Sequence, residues 1–142
     1  MSSKRPSRKL SRLVADRAQW RCEYCPSPAV VSTQPFEVDH IIPLSKNGLT
    51  ALENLAFSCG CNSYKGNKTY ARDPRTGRVV PLFHPRRQRW SRHFGWSEGF
   101  LFIVGRSATG RATVEALHLN RPELLNLRRI LRAAGEHPPP LA

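Results

Sequence analysis

The chain has 142 residues, with 23 Lys or Arg against 10 Asp or Glu and a formal charge of +13. That length supplies one modest core with little to spare. The charge argues against an enzyme of small neutral substrates and for a polyanionic partner. No apolar run approaches the roughly 18 residues that span a bilayer, and residues 1–10 are polar and basic, so neither membrane insertion nor secretion is expected.

The expected compartment is therefore the reducing cytoplasm. There, four Cys in two close pairs read as metal ligands before they read as disulfides. Charge is unevenly placed. Residues 1–21 carry seven Lys or Arg against Asp16 alone, and residues 65–92 carry nine against Asp73 alone. Between them, Glu23, Glu37, Asp39 and Glu53 face only Lys46. An acidic centre between basic flanks suits a surface that gathers phosphates around a cation, although a solvated charge run kept for solubility has the same composition.

In chain order, residues 1–6 read as a basic disordered tail. Residues 7–21 read as an amphipathic helix, with Leu10, Leu13, Val14 and Ala18 at helical spacing and Arg8, Lys9 and Arg12 on the wet face. Cys22 and Cys25 form a short knuckle broken by Pro26 and Pro28, with Tyr24 as its cover. Phe36 to His40 alternates as a short strand. Pro43 stops it, and Ser45-Lys46-Asn47-Gly48 is a turn. Leu52, Leu55, Ala56 and Phe57 lead back to Cys59, and a short helix is expected from Asn62 to about Tyr70.

Beyond this, Asp73-Pro74-Arg75-Thr76-Gly77 is a turn and Val79 to Phe83 a strand. Residues 84–94 interleave basic residues with Trp90 and Phe94, a composition that serves either base stacking or a core. A β-hairpin is expected over 94–104, with its turn at Ser97-Glu98-Gly99 and a buried strand from Phe100 to Val104. A short helix is expected over 113–118. The last helix should start at Asn120 as N-cap, with Glu123 completing a capping box, and should bury Leu124, Leu127, Ile130 and Leu131 before Gly135.

Cys22 and Cys25 followed by Cys59 and Cys61 indicate a tetrahedral structural Zn²⁺ site, with free buried thiols as the alternative. Asp39 and His40 at a strand end point to opposite faces and can serve different roles around one phosphate. Asp39 is expected to bind a divalent cation and His40 to take a proton from water. Asn62 offers an amide oxygen as second ligand, a donor set that suits Mg²⁺ or Mn²⁺. Asn54 holds the loop or orients the imidazole. Lys65, Lys68, Arg86, Arg87 and Arg89 are the expected phosphate contacts.

Cys-x-x-Cys, Val38-Asp39-His40-Ile41-Ile42-Pro43, Glu53-Asn54-Leu55 and Cys59-x-Cys61-Asn62-x-x-Lys65 together resemble the HNH endonucleases, whose core is a ββα-metal finger. The resemblance covers residues 22–66. It implies His40 as general base, Asp39 and Asn62 as catalytic metal ligands, and Asn54 as the middle Asn. The Cys59-Gly60-Cys61 pair is one residue shorter than the usual family spacing. Residues 73–129 also resemble the extension of bacterial stand-alone HNH proteins.

The implied fold class is α+β, a small zinc-stabilised ββα-metal core with an N-terminal helix and a C-terminal extension of β-hairpin plus helix. The expected division is a tail at 1–6, a nuclease core at 7–70, a basic extension at 71–136 packed on the same domain, and a tail at 137–142. The expected activity is metal-dependent hydrolysis of phosphodiester bonds in DNA, with RNA left open. The alternative is a non-catalytic zinc-stabilised nucleic-acid-binding module.

Overall fold

The computed structural model describes residues 5–140, and its fold is α+β. The two expected tails fall partly outside the described residues, at 1–4 and 141–142. The chain divides into two compact units. The first runs up to Thr69 and includes His84–Arg87; the second comprises Tyr70–Phe83 and the chain from Gln88 onward. No described helix is long and apolar enough to cross a membrane.

The first unit opens with helix α1, Arg8–Arg17, capped by Ser7 Oγ accepting from Leu10 N at 3.1 Å. Val14 and Ala15 on its inner face meet Leu55 and Phe57, with Leu10, Phe36 and Val38 packed around them. Each large apolar side chain buried this way contributes about 1.5–3 kcal/mol, so this core is small. The helix stops short of the expected Arg21. Gln19 and Trp20 both take left-handed torsions, at φ 55° and 56°, and turn the chain without a glycine.

Strand β1, Glu37–His40, pairs antiparallel with β2, Leu55–Ser58, placing Val38 opposite Phe57 and His40 opposite Leu55. Alternation sends Val38 to the α1 side and Asp39 to the other. Helix α2, Cys61–Lys65, begins on the last Cys of the second pair and is shorter than the expected 62–70, because Gly66 closes it at φ 56°.

In the second unit, β3, Tyr70–Arg72, pairs with β4, Val79–Pro81, so the expected turn at 73–77 closes a hairpin. Helix α3, Trp90–His93, leads into β5, Phe94–Trp96, which pairs with β6, Ile103–Gly105. The expected buried run 100–104 is corrected: Ile103 is 2 % exposed, but Phe100, Phe102 and Val104 are 40 %, 44 % and 47 % exposed. A 3-10 turn over Glu98–Phe100 uses up the start of the strand, and only three residues pair.

Helix α4 spans Ala108–Ala116, earlier than the expected 113–118. Ser107 Oγ caps it from Gly110 N at 2.9 Å. Gly110 lies inside this helix because a Cβ there would meet the His93 carbonyl oxygen at 1.9 Å. Helix α5, Pro122–Ala133, has Arg121 at the N-cap. Asn120 instead clamps Ile103, accepting from its N–H at 2.8 Å and donating to its carbonyl at 2.9 Å. Glu123 is 69 % exposed at its side chain and lies 3.7 Å from Arg121, so no capping box forms. Leu124 and Leu131 are buried as expected, whereas Ile130 is 68 % exposed and Arg128 takes an inner position.

Candidate metal and catalytic site

The four Cys Sγ atoms lie within 4.8 Å of one another. Cys25 and Cys59 are 3.3 Å apart, Cys59 and Cys61 3.7 Å, and Cys22 and Cys61 4.0 Å. A tetrahedral Zn²⁺ with Zn–S bonds of about 2.3 Å separates its sulfurs by roughly 3.8 Å, so the donor set is compatible with a structural zinc ion.

The shortened second pair reaches the cluster because Gly60 takes φ 143°, a torsion other residues avoid. Cys22 Sγ accepts the backbone N–H groups of Tyr24 and Cys25 at 3.4 Å each, and Ser27 Oγ lies 3.2 Å from Cys25 Sγ. Burial pushes the Cys22 thiol well above the ordinary range, a penalty that a bound cation reverses by favouring the thiolate.

The knuckle is tied to the sheet. Glu23 N donates to the Phe57 carbonyl at 2.9 Å, and Glu23 Oε2 accepts from Phe57 N at 2.8 Å. The other carboxylate oxygen pairs with Arg86. Arg86, expected at phosphate, is thus held by a knuckle carboxylate. Burial, with Arg17 nearby, lowers its pKa to about 10.

Asp39, His40 and Asn62 line one cavity of about 320 Å³, together with Ser45 and Asn67. The expected trio therefore shares a single space. Asn62 Oδ1 is buried and has no hydrogen-bond partner among the described residues. A buried carbonyl oxygen left in this state costs about 1–3 kcal/mol, which makes it a ready ligand for a cation or water. Asp39 and Asn62 both carry oxygen donors, the type that hard divalent cations take.

Asp39 is 7 % exposed and already engaged. Tyr24 Oη donates to its Oδ2 at 2.7 Å, and Lys65 Nζ lies 3.2 Å from the same oxygen. Burial raises the carboxyl pKa, while Lys65 and Tyr24 oppose the rise. Two expectations change here. Lys65, read as a phosphate contact, is 1 % exposed; its ammonium is held by Asp39 and by the His40 carbonyl at 3.1 Å. Tyr24, read as a cover for the knuckle, also donates to the acid.

His40 Nε2 lies 2.9 Å from Thr50 Oγ1. With the proton on Nε2 donated to Thr50, Nδ1 carries the free lone pair. Burial lowers the His40 pKa against the pull of Asp39, and Lys65 lowers it further. No spacing in the sequence singles out Thr50.

Asn54 does not reach the imidazole. Its Oδ1 accepts from Ile42 N, and its Nδ2 donates to the carbonyls of Ile42 and Leu49, each at 2.9 Å. It acts as a positioning residue that clamps the loop carrying Pro43 and Thr50. Of the remaining expected phosphate contacts, Lys68, Arg87 and Arg89 are exposed, the first two in the first unit and Arg89 in the second.

Residues 22–68, about a third of the chain, match the family model described as HNH endonuclease. No curated protein and no solved structure gives a significant match. The matched segment contains the four Cys, the Asp39–His40 pair and Asn62, and an HNH domain carries a nuclease-type or nucleic-acid-related function.

Proposed function

Taking residues 22–68 as the HNH domain that the family match makes them, we propose that the protein is a metal-dependent endonuclease that hydrolyses phosphodiester bonds in DNA. The observation that carries this reading is that Asn62, whose buried Oδ1 has no hydrogen-bond partner among the described residues, lines the same cavity as Asp39 and His40. Asp39 and Asn62 would hold Mg²⁺ or Mn²⁺, which when bound relieves charge on the leaving oxygen.

His40 Nδ1 takes the proton of the attacking water, and Thr50 keeps the ring and its tautomer fixed. Asn54 holds the loop so that His40 faces the cavity. Tyr24 keeps Asp39 in place from the inside. The four thiols would hold Zn²⁺ and pin the knuckle on which Tyr24 sits. Reduced thiols go with a cytoplasmic location.

One observation favours a second reading, a zinc-stabilised nucleic-acid-binding module without cleavage. The Lys65 ammonium already neutralises Asp39, and a cation would have to share that carboxylate. Incubating purified protein with supercoiled plasmid and Mg²⁺ or Mn²⁺ separates the two. Nicking that disappears in His40→Ala and Asn62→Ala supports the nuclease. Salt-sensitive binding with no cleavage under any divalent ion supports the module.

A further inference from the structure

The hairpin formed by β3 and β4 presents two unlike faces. Helix α4 packs against both strands. Ala71 and Val80, paired across the ladder, are half-buried, while Tyr70, Arg72, Val79 and Pro81 on the alternate face are exposed. Tyr70 and Val79 are 58 % and 60 % exposed and lie on the same face of the hairpin, an apolar pair set among cations.

The turn adds Arg75 and Arg78, both exposed. Neither guanidinium has a hydrogen-bond or ion-pair partner among the described residues. Asp73, the hairpin's one acid, is fully buried and offers nothing to the surface. Its two oxygens take a bidentate fork from Arg111, with Nε and Nη2 each at 2.9 Å. The same carboxylate accepts from Arg75 N at 3.0 Å and from Thr76 Oγ1 at 2.8 Å. The turn is thus set from below, and both Asp73 oxygens are taken by Arg111, the Arg75 backbone and Thr76.

From this geometry we propose that the hairpin Tyr70–Pro81 is a duplex-DNA contact, a two-stranded ribbon that enters the major groove, with Arg75 and Arg78 on the phosphates and Tyr70 and Val79 against the groove floor or sugars. This rests on the nucleic-acid reading above and names the form of the substrate. Strands about 4.8 Å apart, with their side chains, fit a groove about 12 Å wide. The deep, narrow major groove of A-form RNA does not admit such a ribbon. A turn fixed before contact loses little freedom on binding, so each arginine contributes more of its attraction.

The test is anisotropy titration of the full chain with a labelled DNA duplex over a range of salt, comparing wild type, Arg75→Ala/Arg78→Ala and Arg75→Lys/Arg78→Lys. Removing two phosphate contacts should lower the salt slope by about 1.8 and weaken binding about 10- to 30-fold near 0.15 M salt. The Lys pair should recover most of that loss. Binding of the Ala pair within twofold of wild type overturns the hairpin assignment and leaves the nuclease reading standing. Wild type that binds no duplex at any salt overturns both.

An equal loss on double-stranded RNA overturns the major-groove assignment. Failure of the Lys pair to recover affinity attributes the loss to a damaged turn and also overturns it. Independently of any substitution at the turn, photo-crosslinking to a 5-iodouracil duplex should place an adduct on Tyr70. Adducts that all fall outside residues 70–81 sink the proposal.

Discussion

Lys65 Nζ lies 3.2 Å from Asp39 Oδ2, with both side chains under a tenth exposed. This ion pair joins the last turn of α2 to the middle of β1 across the floor of the candidate site. Removing one member of such a pair leaves the other charge buried and uncompensated, which costs about 3–5 kcal/mol. Lys65→Met should therefore lower the unfolding free energy measured by urea titration by that amount, with Asp39→Asn/Lys65→Met losing much less than the two single losses added. If Lys65 were a phosphate contact, Lys65→Met would leave stability unchanged and weaken DNA binding alone.

With His40 as the proposed base, cleavage should depend on pH. Burial, opposed by Asp39 and reinforced by Lys65, lowers its pKa from the ordinary value near 6.5. Only the neutral ring accepts a proton, so single-turnover cleavage should rise with pH and level off, with a midpoint below about 6.5. His40→Ala should slow cleavage by about 10²–10⁴-fold while leaving the fold intact. A rate that is flat from pH 4.5 to 8 would assign proton removal to another group.

The four-Cys cluster predicts one zinc per chain by elemental analysis. Metal binding at such sites is itself folding free energy, and the apolar core beside it is small. Chelation should lower the unfolding temperature by roughly 10 °C or more, and added Zn²⁺ should restore it. Cys22→Ser should behave like the chelated protein whether or not the chelator is present. Insensitivity to both treatments would mean that the thiols pack as an apolar cluster.

What was legible in the sequence lies where chemistry restricts residue type. The Cys spacing foretold a cluster of four thiols, and the order of Asp39, His40 and Asn62 foretold that these three meet at one cavity. What stayed hidden depends on partners distant in sequence. Nothing around Lys65 marks it as buried, because the cause is Asp39, 26 residues earlier.

Tyr24 and Thr50 are ordinary residues until the fold sets them against Asp39 and His40. Three-residue strands such as Tyr70–Arg72 are too short for periodicity to register, so the first hairpin of the second unit was visible as its turn and its second strand, Val79 onward, but not as its first strand. Asn120 looked like a helix cap because its side chain suits one, but the Ile103 backbone outcompeted the helix for its amide.

Arg111 and Asp73 supply a prediction about acid stability in the second unit. The Arg111 fork, with the Arg75 and Thr76 donors, holds the Asp73 carboxyl far below the usual carboxylate range. A depressed folded-state pKa means the unfolded chain binds the proton more readily. The contribution is therefore fully present above the unfolded value near 3.9 and is lost as pH falls through that value toward the folded one. Wild type should lose thermal stability steeply below about pH 4. Asp73→Asn should start less stable at pH 7, since it strands Arg111 and loosens the turn, and should show a shallower loss on acidification. Parallel melting-temperature curves for the two proteins between pH 7 and pH 2.5 would show that Asp73 carries no such linkage.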